Sequence, residues 1–213
     1  MPARKNKELP FIDLPEPCFE GGRTLFEALK DRRTSRLIRD KAIPLQLLAD
    51  LLWAAQGVNR REGPFGGPGR TAASASNSQE IQVYAALPEA TYLYEPDRNR
   101  LIPVVAGDLR RLAIGAGQGD MGAGAPARLI YVADLDKFKT AGFQEPGLYD
   151  AEVQKSYYFV DTGLIAQNVY LAAEALGLTA WFHNCNKPAL AKKLKLKPQQ
   201  RALFGQTIGY AAE

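Results

Sequence analysis

The segment FVDTGLIAQNVYLAAEALGL, residues 159 to 178, is the longest strongly helical window of the chain, and it is apolar around most of its circumference. A helix at the surface of a globular protein keeps a polar face toward water. One with so little polar surface must be enclosed, by its own sheet or by another subunit.

The rest of the chain supplies that sheet. IQVYAAL (81 to 87) alternates as a strand does, and TYLYEPDRNRLIPV (91 to 104) reads as two strands around an Asp/Asn-bearing turn. ARLIYVADL (127 to 135), TAWFHNC (179 to 185) and GQTIGYA (205 to 211) complete the strands. Thr24 followed by Glu27 fits a capping box, which predicts a helix over 24 to 31. Pro44 to Gly57 places Leu45, Leu48, Leu51, Leu52 and Ala55 on one face of a second helix. GDLRRLAIGAGQG (107 to 119) reads as helical despite its glycines, and PALAKKLKL (188 to 196) as a further helix. NRREGPFGGPGR (59 to 70), with four glycines and two prolines, is a flexible loop. The expectation is a mixed α/β fold in one layered domain over 24 to 213, preceded by an extended, proline-punctuated arm over 1 to 23. At 213 residues and 46% hydrophobic content, such a domain buries a core without disulfides or a structural metal.

Several chemistries are excluded. Cys18 and Cys185 form no C-x-x-C pair, and the single histidine, His183, has no metal-ligand spacing around it, so no metal site is expected. No G-x-S-x-G elbow supplies a nucleophile for a histidine-dependent triad. GAGQGD (115 to 120) has the wrong glycine spacing for a dinucleotide fingerprint, and no phosphate-loop motif occurs. The formal charge of +4 is scattered and not interleaved with stacking aromatics, which argues against a nucleic-acid groove. No run approaches the roughly 18 apolar residues of a membrane span. The chain is expected in the cytoplasm, with an export leader ahead of residue 1 left open.

Two constellations remain. RRTSR (32 to 36) offers the guanidiniums of Arg32, Arg33 and Arg36 and the hydroxyl of Thr34, a donor set matched to phosphate oxygens. On these residues alone, a solvated helix end is the preferred reading. TAASASNSQEIQVY (71 to 84) leads small and hydroxyl residues into a strand. There the small side chains would let a planar ligand approach the backbone while Ser74, Ser76 and Asn77 offer donors and acceptors to a ring edge, and a plain serine-rich loop fits equally well.

RRTSR, IPLQLLADLLWAAQGVNR, RTAASASNSQEIQVY, DTGLIAQNVYLAAEALGLTAWF and GQTIGYA occur in this order across roughly residues 22 to 211. That succession resembles the nitroreductase superfamily, nearest the branch that includes the SagB-type dehydrogenases, and it reverses the preference on RRTSR. The resemblance implies a three-layer sandwich with a mostly antiparallel central sheet and flanking helices. It also implies an intertwined homodimer with FMN at the interface, which would enclose the apolar helix. Arg32, Thr34 and Arg36 would hold the FMN phosphate and ribityl chain, with Arg33 as a possible substitute for one of them. Ser74, Ala75, Ser76 and Asn77 would contact the isoalloxazine from the other subunit, and Trp181, Phe182, His183 and Asn184 would lie against its N5 and O4 edge.

The implied activity is reduction by NADH or NADPH of a small electron-poor acceptor, such as a nitroaromatic or quinone, in a ping-pong cycle. The flavin carries the chemistry and no side chain is assigned as catalytic. Arg70 is one candidate for the cation beside N1 and O2. Two departures from the family pattern stand out. No lysine or arginine follows the last strand, and 136 to 158 lacks the Lys-Tyr pair of peptide azoline oxidases, although Lys155 and Tyr157 lie nearby. An azoline-type dehydrogenase and a non-catalytic flavin-binding protein are the alternatives. His183 taken singly reads as a strand-end histidine with a satisfied hydrogen bond, and Trp53, Tyr170, Trp181 and Phe182 as packing residues. The 59 to 70 loop reads as a connector or a lid.

Overall fold

A computed structural model describes residues 9–63, 65–118, 121–122 and 124–212. In chain order the elements are β1 (Ile12–Asp13), α1 (Leu25–Asp31), α2 (Leu45–Gln56), β2 (Val58–Arg60), β3 (Gly69–Arg70), β4 (Ile81–Ala86), β5 (Ala90–Glu95) and β6 (Arg100–Ala106). There follow β7 (Ala127–Asp134), α3 (Ala151–Ala175), β8 (Thr179–His183), α4 (Lys187–Lys193) and β9 (Gln200–Gly209).

Seven strands form one sheet in the order β1-β6-β5-β4-β7-β9-β8, and every pairing between them is antiparallel. Successive side chains of a strand point to opposite faces, and the core divides accordingly. Leu129, Tyr131 and Ala133 of β7 meet Leu48, Leu51 and Leu52 of α2 and Ile165, Ala166 and Val169 of α3. Ile130 and Val132 point the other way, into a smaller cluster with Leu190 of α4 and with Leu109 and Ala113 of the 107–118 segment. The result is three layers with the sheet in the middle.

Local chemistry explains where most elements begin. The capping box closes as the sequence requires: the Glu27 amide donates to Thr24 Oγ1 at 3.3 Å, and the Thr24 amide donates to the Glu27 carboxylate at 2.8 Å. Helix α3 starts eight residues before the apolar window, because the Asp150 carboxylate accepts the amides of Glu152 and Val153. It ends at Ala175, and two residues on Gly177 turns the chain away with a φ of +70° that favours a residue without a Cβ. The 107 to 119 segment departs from the helical expectation. Its described part is a turn in which the Leu109 carbonyl accepts the amides of Leu112 and Ala113, followed by a short 3-10 turn at Ala116–Gln118 in which the Gln118 amide donates to the Gly115 carbonyl. Glycines at 115 and 117 weaken any helix there.

Of the arm, residues 12 to 14 lie along the sheet edge, Ile12 paired with Leu101 and Leu14 buried in the core. The chain then crosses onto α2, where the Cys18 amide donates to Asp50 and Phe19 packs on Trp53. No helix of the described residues is long and apolar enough to cross a membrane.

Candidate functional site

The RRTSR segment leaves α1 and pairs with the edge of the sheet. Arg32 donates its amide to the Ala28 carbonyl at 2.8 Å, Thr34 forms a parallel bridge with Ala180 of β8, and the Ser35 amide donates to the Ala180 carbonyl at 3.3 Å. An extended segment alternates its side chains, so Arg32, Thr34 and Arg36 fall on one side and Arg33 and Ser35 on the other. The first group faces an aromatic wall. Arg32 lies over the Tyr170 ring at 5.3 Å, Arg36 over the Trp181 ring at 5.7 Å, and Thr34 Oγ1 is 3.1 Å from the Tyr170 phenol oxygen. Arg33 instead lines a groove with Arg23, Asp31 and Glu174, where its Nε donates to the Asp31 carbonyl. Among the described residues no carboxylate pairs with Arg32, Arg33 or Arg36.

The same tyrosine reaches the end of β8, where the Phe182 amide donates to its phenol oxygen at 2.7 Å. Phe182 packs on Phe204 with ring centroids 4.8 Å apart. His183 is buried and both its ring nitrogens are engaged, Nδ1 at 2.9 Å from the Asn184 carbonyl and Nε2 at 2.7 Å from Thr207 Oγ1. Burial pushes its pKa down to about 4, so the ring is neutral near pH 7 and is tied into the strand pair. Asn184 is exposed, and its side-chain oxygen accepts the Cys185 amide.

The 74–77 loop sits elsewhere on the molecule. Ser76 and Asn77 adopt left-handed backbone angles, with φ of 53° and 51°. Long-range contacts hold them there: the Ala75 amide donates to Asp161 Oδ2 at 2.9 Å, and Ser76 Oγ donates to Glu145 Oε1 at 3.0 Å. Ser74 Oγ accepts the Gln79 amide at 3.1 Å. The loop borders a cavity of about 520 Å³ that is also walled by Arg60, Phe65, Arg70 and Phe143. Phe65 and Phe143 stack with centroids 5.8 Å apart on one wall of this cavity. Arg70 is committed to Gln79 and to an ion pair with Asp97 at 3.1 Å.

The two blocks therefore attach to different stretches of α3, one through Asp161 and the other through Tyr170. At 1.5 Å rise per residue, nine positions separate these by roughly 14 Å along the axis. Helix α3 leaves Phe159, Val160 and Leu164 exposed, and Leu25, Phe26 and Leu37 beside the arginine block are exposed as well. Lys155 pairs with Glu152, and Tyr157 interacts with Glu145. Two positions apart on a helix, the lysine and the tyrosine do not face each other. Among the described residues no group of three or more His, Cys, Asp or Glu side chains is arranged to hold a metal.

Sequence reasoning missed Asp161, Glu145 and Glu80, and it assigned Tyr170 to packing alone. One signal was available: Asp161 lies within the largely apolar window 159 to 178, and an acid buried there needs a partner.

With this geometry in place, known proteins give a consistent comparison. The sequence profile of the nitroreductase family matches residues 29–210. A Ralstonia eutropha JMP134 protein that carries a nitroreductase name has a crystal structure with a TM-score of 0.80, 32% identity, and coverage of 95% of this chain and 90% of that one. MJ1384 of Methanocaldococcus jannaschii, also given a nitroreductase name, is 29% identical over 161 residues, 72% of this chain and 75% of its own length. The NADPH:FMN oxidoreductase of Vibrio harveyi, solved with NAD+, shares the fold alone, at 18% identity and a TM-score of 0.61 over 89% of this chain and 69% of that one.

Proposed function

Since the chain belongs to the nitroreductase family, we propose that it is an FMN-dependent oxidoreductase that takes electrons from NADH or NADPH and passes them to a small electron-poor acceptor, a nitroaromatic or a quinone. The observation that carries this reading is the placement of Arg32, Thr34 and Arg36 on one side of an extended segment, with no carboxylate partner among the described residues and against the rings of Tyr170 and Trp181. Unpaired guanidiniums held on aromatic faces suit a phosphate, which supplies the missing charge and accepts forked hydrogen bonds. The residues thus fit the phosphate end of the cofactor.

Bound there, FMN would supply the hydride and electron transfer for both half-reactions of a ping-pong cycle. The chain's own part is positioning. Arg32 and Arg36 would hold the phosphate, and Thr34 would offer the ribityl chain a hydroxyl; Arg33, turned away, would serve a phosphate only after its side chain swings across. The strand end from Phe182 to Asn184 would meet one edge of the ring with backbone groups, since the His183 side chain is already engaged. Ser74, Ala75, Ser76 and Asn77 would contact the ring from a second copy. A homodimer supplies what one copy separates, and it would enclose the exposed apolar residues of α3 and α1. The acceptor would use the cavity beneath Phe65 and Phe143, where the 59–70 loop acts as a lid. Arg70, already engaged by Asp97, would still place a positive charge beside the loop. Two cysteines with no disulfide fit a cytoplasmic setting.

The test is the visible spectrum of the purified protein, followed anaerobically through addition of NADH and then NADPH. A flavin band that bleaches with either donor supports the proposal. A flavin band that neither donor bleaches points to a non-catalytic flavin carrier, and a colourless protein that fails to take up FMN refutes the flavin reading.

A further inference from the structure

Two acidic side chains lie buried directly beneath the 74–77 loop, and the chemistry proposed above uses neither. Glu80, at the entrance to β4, has no solvent exposure, and Asp161 of α3 is 3% exposed. Both side chains line one small internal space, close enough for each to act on the other's ionisation. Two of their oxygens have a donor and a third has none. Asp161 Oδ2 accepts the Ala75 amide at 2.9 Å, Glu80 Oε2 accepts Ser78 Oγ at 2.6 Å, and Glu80 Oε1 has no donor among the described residues.

Among the described residues that line this space, the one cation is Arg70. It lies on the β3 side and is committed to Asp97 and Gln79. From α2, neutral Gln56 directs its amide to the Ile81 carbonyl, and from α3 the Tyr157 phenol engages Glu145. Two ionised carboxylates this close, both out of water, are strongly disfavoured, and a proton between them converts repulsion into a hydrogen bond. Burial and the neighbouring Asp161 charge also raise the Glu80 pKa to about 7, which agrees with that geometry.

We propose that Glu80 and Asp161 share one proton, carried on Glu80 Oε1, and that this proton locks the 74–77 loop in the shape it presents to its ligand. Glu80 donates to Asp161, Asp161 accepts from Ala75, and the left-handed Ser76 and Asn77 follow from where Ala75 is held. Loss of the proton sets the two carboxylates against each other and releases the Ala75 amide. Both are positioning residues. Their effect on flavin affinity rests on the function proposed above, whereas the lock itself does not.

The experiment is hydrogen–deuterium exchange of the full-length protein, reading the peptide over 72 to 80 between pH 5.5 and 8.5 after correction for intrinsic rates, with FMN affinity measured on the same samples. Wild type is expected to lose protection on the order of tenfold as pH rises through neutrality. Glu80→Gln, whose amide can donate to Asp161 without titrating, should keep the loop protected and flat with pH. Asp161→Asn retains an oxygen for the Ala75 amide without the charge and should also be flat, which covers the case where one variant fails to fold. A wild-type loop with no change across this range, or a Glu80→Gln protein with the same step, overturns the lock. An exchange step without FMN binding at any pH upholds the lock and removes the flavin reading. FMN binding with no exchange step does the reverse.

Discussion

The Thr34 hydroxyl lies 3.1 Å from the phenol oxygen of Tyr170, and that same oxygen accepts the Phe182 amide at 2.7 Å. One side chain of α3 thus ties the arginine segment to the end of β8, the two parts of a single copy proposed to hold the cofactor. Tyr170→Phe keeps the ring under Arg32 but leaves the Phe182 amide without its acceptor, a loss of about 1–3 kcal/mol. FMN affinity is expected to fall about tenfold, measured by quenching of flavin fluorescence. Unchanged affinity would separate Tyr170 from the site.

Charge reversal at the arginine block tests the phosphate assignment. Arg32→Glu and Arg36→Glu each remove charge-assisted bonds of about 1.5–3 kcal/mol and add repulsion. Neither variant should retain flavin through purification, while Arg33→Glu, on the opposite side of the segment, should lose far less. Flavin content is read from the visible band against protein absorbance. Full flavin in both Arg32→Glu and Arg36→Glu would contradict the assignment.

Asn77 has φ of 51°, and its side-chain oxygen accepts from Gln79 Nε2 at 2.9 Å. Asn77→Trp places a bulky side chain in a left-handed position that favours small residues, at a cost of about 1–2 kcal/mol. Flavin binding should weaken while light scattering still reports the wild-type oligomer. Equal flavin affinity would remove the 74–77 loop from the site.

His183 gives a pH prediction with a single reporter, since it is the only histidine in the chain. Burial depresses its folded pKa to about 4 from an ordinary value near 6.5, so the unfolded chain binds the extra proton first. The stability it contributes is complete above about pH 6.5 and is lost as pH falls through 4, roughly 3 kcal/mol over that window. The ring proton signal should show no titration between pH 6 and 8, and His183→Gln should flatten the acid side of the stability curve. A midpoint near 6.5 by NMR would show an accessible ring.

The sequence was most legible where chemistry is local. Thr24 and Glu27 lie three residues apart, so their cap could be read directly, and the alternation in Ile81 to Ala86 reports one strand's own two faces. The start of α3 was harder, because Asp150 caps a polar first stretch with no apolar period to reveal it. At 107 to 119 apolar spacing suggested a helix, but the glycines and the packing of Leu109 and Ala113 under the sheet prevailed. The candidate site was legible as blocks and illegible as a network. Tyr170 reaches Thr34 across 136 positions, and Asp161 reaches Ala75 across 86. Such pairings are set by the folded sheet and leave no mark on spacing.

The central claim is that each flavin site is completed by two copies of the chain, and co-expression tests it most directly. An Arg32→Glu/Arg36→Glu chain and an Asn77→Trp chain, each depleted of flavin alone, should yield hybrid dimers with one intact site, so random pairing provides intact sites for about a quarter of the wild-type flavin content. A colourless co-expressed pair in which hybrids have formed, or a flavin-replete arginine variant by itself, would contradict the account.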